Sequence, residues 1–482
     1  MIGIVRSDAA GAALEIVEAN RFDNVPRQMP EGLSWDIDAL WQGVLRGLRA
    51  GVDIARTAGA AVAGIGVDSW GVDYARRDAV GSIRPFVRHH RDVDAARAAK
   101  TSSARNVAAD YAETGILDQA INTFHQLYQD RAAGIGAPSD TIVLIADLFR
   151  YLLTGAVATE PSLASTTALV SRDTEQWSEA LTAGLGVTLP AIARSGSLAG
   201  YTTPAVTEQI GAAEPVPVWA VTGHDTAAAF AAVVDAESGT GAGVVSSGSW
   251  SVVGAVLPRP VLTEAARELG FTQEIGGNGE TLLIKNLSGM WLLQRTMQEW
   301  ADADGREQWT VPELRALLVE AKTSTYRGVF DPADPQLQPA GALIARLNTA
   351  CQHSSGAVPA SRADLVRAIV ESLASSYAET LAQITELTGR AITTVRIVGG
   401  GARNDLLAAL TAARTGLPVI AGPAEASVRG LVLQLAVAAG SFPTLADARR
   451  VRVHGSDTGG GPSGEPDERH YQPGSGQQGV RR

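Results

Sequence analysis

The sequence predicts an α/β protein of more than one domain, and three observations carry that expectation. Apolar strand-like runs alternate with helical repeats along most of the chain. Its 482 residues exceed what one core of about 150 residues holds. A strand followed by Ser-Trp occurs twice, at Asp68-Ser69-Trp70 and Gly248-Ser249-Trp250, once near the front of each half.

The elements follow in order. MIGIVRS and ALEIVEANRF predict a strand pair about a turn at Asp8 to Gly11. An amphipathic helix is expected from Ile37 to Thr57, with Leu40, Trp41, Val44, Leu45 and Leu48 on one face. AVAGIGV reads as a buried strand ending at Asp68. Residues 92–190 read as mostly helical, with Gly155 closing DLFRYLLT as a C-cap. VPVWAV predicts a strand running into Thr222-Gly223-His224-Asp225, and TAAAFAAVVDAE a helix. Beyond a joint rich in glycine (Gly239, Gly241, Gly243), GVVSSGSW and SVVGAVL form a hairpin pattern. A long helix is expected over 362–388. It is followed by the strand TTVRIV, Gly399-Gly400-Gly401, a helix over ARNDLLAALTAARTG and the strand LPVIAG. These readings divide the chain into domains at 1–235 and 236–454. The Gly/Pro/polar segment 455–482 has nothing to bury in a core and is expected to be disordered.

Composition narrows the function classes. The net charge of −11 and the brevity of the basic clusters, such as Arg449, Arg450 and Arg452, argue against nucleic-acid or anionic-membrane partners. A single cysteine, Cys351, cannot form an intrachain disulfide and fits a reducing cytosol. No signal-like segment opens the chain and no apolar run reaches about 18 residues, so a cytoplasmic protein is expected. Lysine occurs only at Lys100, Lys285 and Lys322, never after glycine, which rules out a Walker A loop.

Asp225 stands where a strand gives way to a helix, and two readings are open. Aspartate is a favoured N-cap; a carboxylate beyond the carboxyl end of a strand is also where open α/β sheets bind ligands. His224 beside it is either a structural histidine or part of such a site. SSGSWS is either a plain hairpin turn or an anion-binding nest. Gly399-Gly400-Gly401 is either a flexible turn or the approach to a nucleotide at a helix N-terminus. The spacing is not G-x-G-x-x-G, so a dinucleotide-dependent oxidoreductase is a poor match. His90-Arg91-Asp92 lacks the asparagine and the D-F-G of a protein kinase. No spacing suggests a transition-metal site, and no metal ligand is assigned.

Eight segments, in order, resemble the FGGY family of carbohydrate kinases over nearly the whole chain, and within it the branch acting on L-rhamnulose. They are DSWGVDY (68–74), NTFHQLYQ (122–129), LLTG with ASTT (152–167), GHDTAAA (223–229), SSGSWSVVG (246–254), KNLSGMWLLQ (285–294), IVGGGARNDLL (397–407) and AGPAEAS (421–427). The resemblance implies two ribonuclease-H-like domains of the actin and sugar-kinase fold, with the active site in the cleft between them. It also offers a cause for the Ser-Trp echo, since the two halves of that fold are related. It implies ATP with Mg2+ as phosphoryl donor and a small sugar as acceptor, in a monomer or homodimer. By motif, Asp225 becomes the catalytic base for the C1 hydroxyl of the ketose. Gly71, His224, Thr226 and Asn286 become sugar contacts. Ser249, where the family usually has threonine, joins Gln294 and Gly400 as ATP contacts.

Two departures qualify the resemblance. The family opens on a strand carrying an Asp-x-Gly-x-[ST]-x-x-[RK] phosphate loop, and MIGIVRSDAAGAALEIVEANRF resembles the segment just after it. The first strand and loop are therefore expected to be missing, through a start assigned too late or a true truncation. The family's Tyr-Arg-Asp reads here as His90-Arg91-Asp92. Another sugar kinase of the family, for L-fuculose or an autoinducer, and a non-catalytic sugar- or nucleotide-binding homologue stay as alternatives.

Overall fold

The computed structural model describes residues 2–8, 11–234, 241–339, 341–455 and 468–473. The chain divides into two compact units. One comprises Met1–Glu237, Leu257–Leu283 and Ser427–Asp467; the other comprises Ser238–Val256, Ile284–Ala426 and Glu468–Arg482. The sequence offered one boundary near the glycine-rich joint, whereas the chain returns to the first unit at Leu257 and again at Ser427. The return at Leu257 falls inside the strand Trp250–Leu257, where no turn residues mark it.

In the first unit, strands Ile2–Asp8 and Gly11–Val17 form the expected antiparallel pair, in register from Ile2 opposite Val17 to Asp8 opposite Gly11. Strand Arg452–Gly455 adds to Gly11–Val17 in parallel. Alternation turns Leu14 and Ile16 inward, onto Ala231, Leu433, Leu445 and Val451. Helix Ile37–Thr57 starts as expected because Asp36 accepts the Ala39 N–H. Its Leu45, with Trp41 and Leu48, packs on Ile65, Leu153, Val206, Ile210 and Val218. The segment read as mostly helical holds helices Ala95–Ser103, Val107–Thr114, Thr123–Ala132, Ile145–Thr154 and Pro161–Thr166, which cover less than half of it, turns and extended chain making up much of the remainder. A strand, Thr141–Leu144, interrupts it and pairs with Tyr74–Arg77. Gly155 closes its helix at φ 78°.

The run AVAGIGV is extended but is not a regular strand. Parallel bridges join it to the neighbouring segment at Ile65–Val218 and Ser69–His224. Its glycines explain the close packing. A Cβ on Gly64 would fall 2.5 Å from Trp219 Nε1, and one on Gly66 2.7 Å from Val221 Cγ2. The run ends at Asp68 beside the chain leaving strand Pro217–Ala220.

The second unit is built on a mixed sheet in the order Thr281–Ser288, Trp250–Leu257, Ala242–Ser247, Thr394–Val398, Val419–Ala421, Arg469–Tyr471. The expected hairpin is the antiparallel pair Ala242–Ser247 and Trp250–Leu257. Thr394–Val398 lies parallel to both of its neighbours. Helix Arg362–Thr388 runs over the expected residues, capped by Ser361. The helix after the triple glycine begins at Asp405 rather than Ala402, because Asn404 caps the Leu407 N–H and Gly400–Arg403 form a 3-10 turn. In the segment expected to be disordered, Arg469–Tyr471 forms an edge strand antiparallel to Val419–Ala421, and Tyr471 Oη donates to Asp405 Oδ1 at 2.6 Å. The rest of that segment, 456–467 and 474–482, lies outside the described residues, as does much of the joint at 235–240.

Candidate active site

The turn Thr222-Gly223-His224-Asp225 is held at every backbone N–H. Thr222 donates to Gln434 Oε1 at 3.0 Å, Gly223 to Glu160 Oε2 at 3.0 Å, and His224 to Ser162 Oγ at 3.1 Å. Asp225 donates to the Ser69 carbonyl at 2.9 Å. Glu160, buried completely, is the centre of this clamp. Besides Gly223 it accepts from the Ser162 N–H and hydroxyl, and from Ser195 Oγ at 2.5 Å. Gly223 is required by space, since a Cβ there would lie 2.6 Å from Leu163 Cδ1.

This geometry removes the capping reading of Asp225. The N-cap of helix Asp225–Ala231 is His224, and no side chain caps it. Asp225 is the first helical residue and its carboxylate is not spent on the helix. Oδ1 accepts from Thr226 Oγ1 at 3.3 Å and faces His224 Nε2 at 3.6 Å. Oδ2 meets no hydrogen-bond donor among the described residues, and the side chain is 50% exposed.

Charge is dense around it. His224 Nδ1 pairs with Glu274 Oε2 at 2.8 Å, both side chains being largely buried. Burial opposes the imidazolium, but Glu274 foremost, with Asp225 and Glu160, outweighs it and raises the His224 pKa to about 9. Asp68 is partly buried at the end of the neighbouring extended run. Desolvation, and then the charge of Asp225, push its carboxyl up to about 7.

The loop that follows Asp68 gathers four other segments. Val72 sits at φ 66°, a conformation costing a β-branched residue about 1–3 kcal/mol. It persists because its N–H donates to Thr166 Oγ1 at 3.0 Å and its carbonyl accepts from Thr123 Oγ1 at 2.6 Å. Gly71 lies against Thr166, whose Cγ2 would be 2.8 Å from an added Cβ. The buried Asp73 carboxylate accepts from Trp35 Nε1 (2.7 Å), Trp70 Nε1 (2.9 Å) and Gln126 Nε2 (3.1 Å). His90 Nδ1 lies 2.9 Å from the same carboxylate.

The remaining candidates lie on the second unit. Gly248 and Ser249 form the tip of the hairpin, exposed, and their carbonyls accept the N–H groups of Met290 (3.0 Å) and Trp291 (3.1 Å). That contact needs Gly289, where a Cβ would sit 2.6 Å from the Ser249 oxygen. Ser249 Oγ donates to Gln294 Oε1 at 3.3 Å. Of the three glycines, Gly399 (φ 78°) and Gly401 are pressed on Ser247, with added Cβ atoms 2.9 Å from its carbonyl and 2.1 Å from its hydroxyl. Gly400 faces open space, with nothing within 4 Å. A ligand can reach the backbone there, just beyond the carboxyl end of Thr394–Val398. Asn286 is exposed on strand Thr281–Ser288.

Residues 13–231 match the N-terminal domain, and 243–439 the C-terminal domain, of the FGGY family of carbohydrate kinases. The chain belongs to this family. Carbohydrate kinases of the FGGY family use ATP with Mg2+ as phosphoryl donor, and this chain is such an enzyme. It is 33% identical to the rhamnulokinase of Bacteroides thetaiotaomicron over 91% of this chain and 88% of that protein. It is 31% identical to the rhamnulokinase of Enterococcus faecalis over 91% and 87%. In fold it resembles the xylulose kinase of Lactobacillus acidophilus, with a TM-score of 0.71 at 14% identity, over 91% and 89% of the two chains. The two-domain sugar-kinase fold expected from the motifs is thereby shown.

The first unit brings Asp225, His224 and Thr226 together and sets Gly71 two residues past the Ser69–His224 bridge. Ser249, Gln294, Gly400 and Asn286 belong to the second unit, where Ser249 and Gln294 touch. Sequence reasoning passed over Glu160, Glu274 and Gln434. The signal for Glu274 was a charged residue inside the buried strand Thr272–Ile275, all four of whose residues are shielded. For Glu160 it was an acid immediately before the proline that opens a helix.

Proposed function

We propose that the chain transfers the γ-phosphoryl group of ATP to the C1 hydroxyl of L-rhamnulose, giving L-rhamnulose 1-phosphate. The observation carrying this reading is the Asp225 carboxylate: exposed by half, free of any capping duty, and with one oxygen unengaged. As general base it accepts the hydroxyl proton while the sugar oxygen attacks the γ-phosphorus and ADP leaves. His224, Thr226, Gly71 and Asn286 hold the sugar in this reading; Ser249, Gln294 and Gly400 hold the nucleotide.

The choice of ketose is supported by the relatives, both named as rhamnulokinases at about a third identity. Mg2+ neutralises phosphate charge when bound. Among the described residues no cluster of three or more His, Cys, Asp or Glu could hold a metal. An ion carried largely by phosphate and water needs only one or two carboxylates, and Asp225 with Asp68 beside it fits that need. No helix among the described residues is long and apolar enough to cross a membrane. A cytoplasmic location is part of the proposal, supported by the single, buried cysteine.

The test is sugar-dependent ADP release with Mg-ATP, comparing L-rhamnulose, L-fuculose, L-xylulose and glycerol. Preferential turnover of L-rhamnulose, with the product phosphorylated at C1, is the expected result. Preference for another sugar overturns the substrate and leaves the family assignment in place.

A further inference from the structure

Helix Ala426–Ala438 carries none of the residues assigned to sugar or nucleotide, yet it meets the Asp225 segment on both sides of that residue. Its Gly430 and Gln434 are four positions apart and share one face. Gly430 lets the helix close on the one that Asp225 opens, since a Cβ there would stand 1.8 Å from the Ala228 carbonyl oxygen. One turn further on, Gln434 Oε1 accepts the Thr222 N–H at 3.0 Å and also the Thr222 hydroxyl. A backbone N–H can only donate, so the amide lies with its oxygen toward Thr222. Its buried Nε2 is turned to Gly277, where a Cβ would stand 2.0 Å away, and meets no acceptor among the described residues. The fold has its own fastening in this helix, because Leu433 packs with Leu14, Ala231 and Leu445. Gln434 instead buries an amide and leaves one donor unpaired in order to hold Thr222.

We propose that Gln434 is a positioning residue for phosphoryl transfer: by accepting both donors of Thr222 it fixes the backbone from which Asp225 projects, and with it the direction of the carboxylate. This rests on the reading of Asp225 as the base. Glu160 and Ser162 take the N–H groups of Gly223 and His224, and the Ser69 carbonyl takes that of Asp225. Gln434 therefore sets the point at which the turn begins, while Gly430 seats the helix in which it ends. Misplacing a reacting group by about 1 Å can cost about 10²-fold in rate. The contacts assigned to sugar and ATP do not pass through Thr222. Loss of Gln434 thus falls on kcat and leaves ground-state binding in place.

The experiment is steady-state kinetics of the full chain with Mg-ATP and the sugar it turns over best, beside a thermal melt of each variant. Wild type, Gln434→Leu, Thr222→Val, Thr222→Ser and Asp225→Asn are compared well below their melting temperatures. Gln434→Leu, apolar and of comparable size, should lower kcat at least about tenfold and keep both KM values within about threefold. Thr222→Val lacks one of the two donors and should lower kcat about threefold. Thr222→Ser keeps both donors and should retain most of the wild-type kcat. A kcat for Gln434→Leu within about twofold of wild type overturns the proposal whatever its melting temperature, since Gln434 would then serve the fold alone. A loss carried by the KM for sugar with kcat in place also overturns it. Should Gln434→Leu not fold, the Thr222 pair decides: equal kcat in the valine and serine variants overturns the proposal. Failure of the underlying reading shows separately, as Asp225→Asn that keeps more than about a tenth of the activity.

Discussion

Two strand-to-helix turns, one in each unit, carry candidate site residues, and they are built on opposite plans. Thr222–Asp225 is surrounded by charge: Glu160, Glu274, His224, Asp68 and Asp225 all act on it, and each of its backbone N–H groups is taken. Gly399–Gly401 is surrounded by backbone. Two glycines are wedged against Ser247 and the third is open. The first turn spends its N–H groups on the fold and presents a side chain. The second has no side chains and presents its main chain. Proton abstraction requires a carboxylate of fixed direction, whereas phosphate recognition requires close approach to the peptide backbone.

Substitutions in each turn break or sharpen this contrast. Asp225→Asn removes the one group in the first turn to which chemistry is assigned. Sugar-dependent turnover should fall at least about 10²-fold, while nucleotide affinity, measured by ADP titration, stays within about twofold of wild type. Glu160→Ala removes the clamp instead of the base. Several buried donors lose their acceptor at once, so a loss of about 3 kcal/mol in denaturant unfolding is expected, with Glu160→Gln milder. A variant as stable as wild type would show that the turn is held some other way.

In the second turn, Gly400 and Gly401 should separate function from packing. Alanine at 401 drives a methyl to 2.1 Å from the Ser247 hydroxyl, at a cost of about 1–3 kcal/mol. Alanine at 400 meets nothing within 4 Å and should change stability by less than about 0.5 kcal/mol while raising the KM for ATP severalfold. Equal effects on stability would remove the distinction between a wedged and an open glycine.

Much of this was legible in the sequence because it is local. The helix 362–388, the hairpin around SSGSW and the strands on either side of the triple glycine follow from periodicity and turn residues. Helix boundaries were less legible: Asn404, a good cap, moves one start from Ala402 to Asp405. The partners of the site residues were not legible at all. Glu160 and Gly223 are 63 positions apart, Thr222 and Gln434 are 212 apart, and nothing in spacing links Glu274 to His224. Edge strand Arg469–Tyr471 was hidden by a polar composition that fits an edge as well as it fits disorder.

Asp68 offers the finest probe of the charged turn. Its carboxyl is raised to about 7 by desolvation and then by Asp225, against 3.8 for an ordinary aspartate. The folded protein therefore binds this proton more tightly than the unfolded chain does. Below pH 3.8 both forms are protonated and the group costs nothing. Between 3.8 and 7 the penalty of ionising it in place grows, and above 7 it is fully present. Asn at this position is neutral at every pH, so Asp68→Asn should match wild type in melting temperature near pH 4 and exceed it at pH 8. The gain should be about 1 kcal/mol once solvent at a partly exposed carboxyl is allowed for. A difference that does not grow with pH would mean that Asp68 ionises freely beside Asp225. The first turn would then tolerate charge far better than its burial implies.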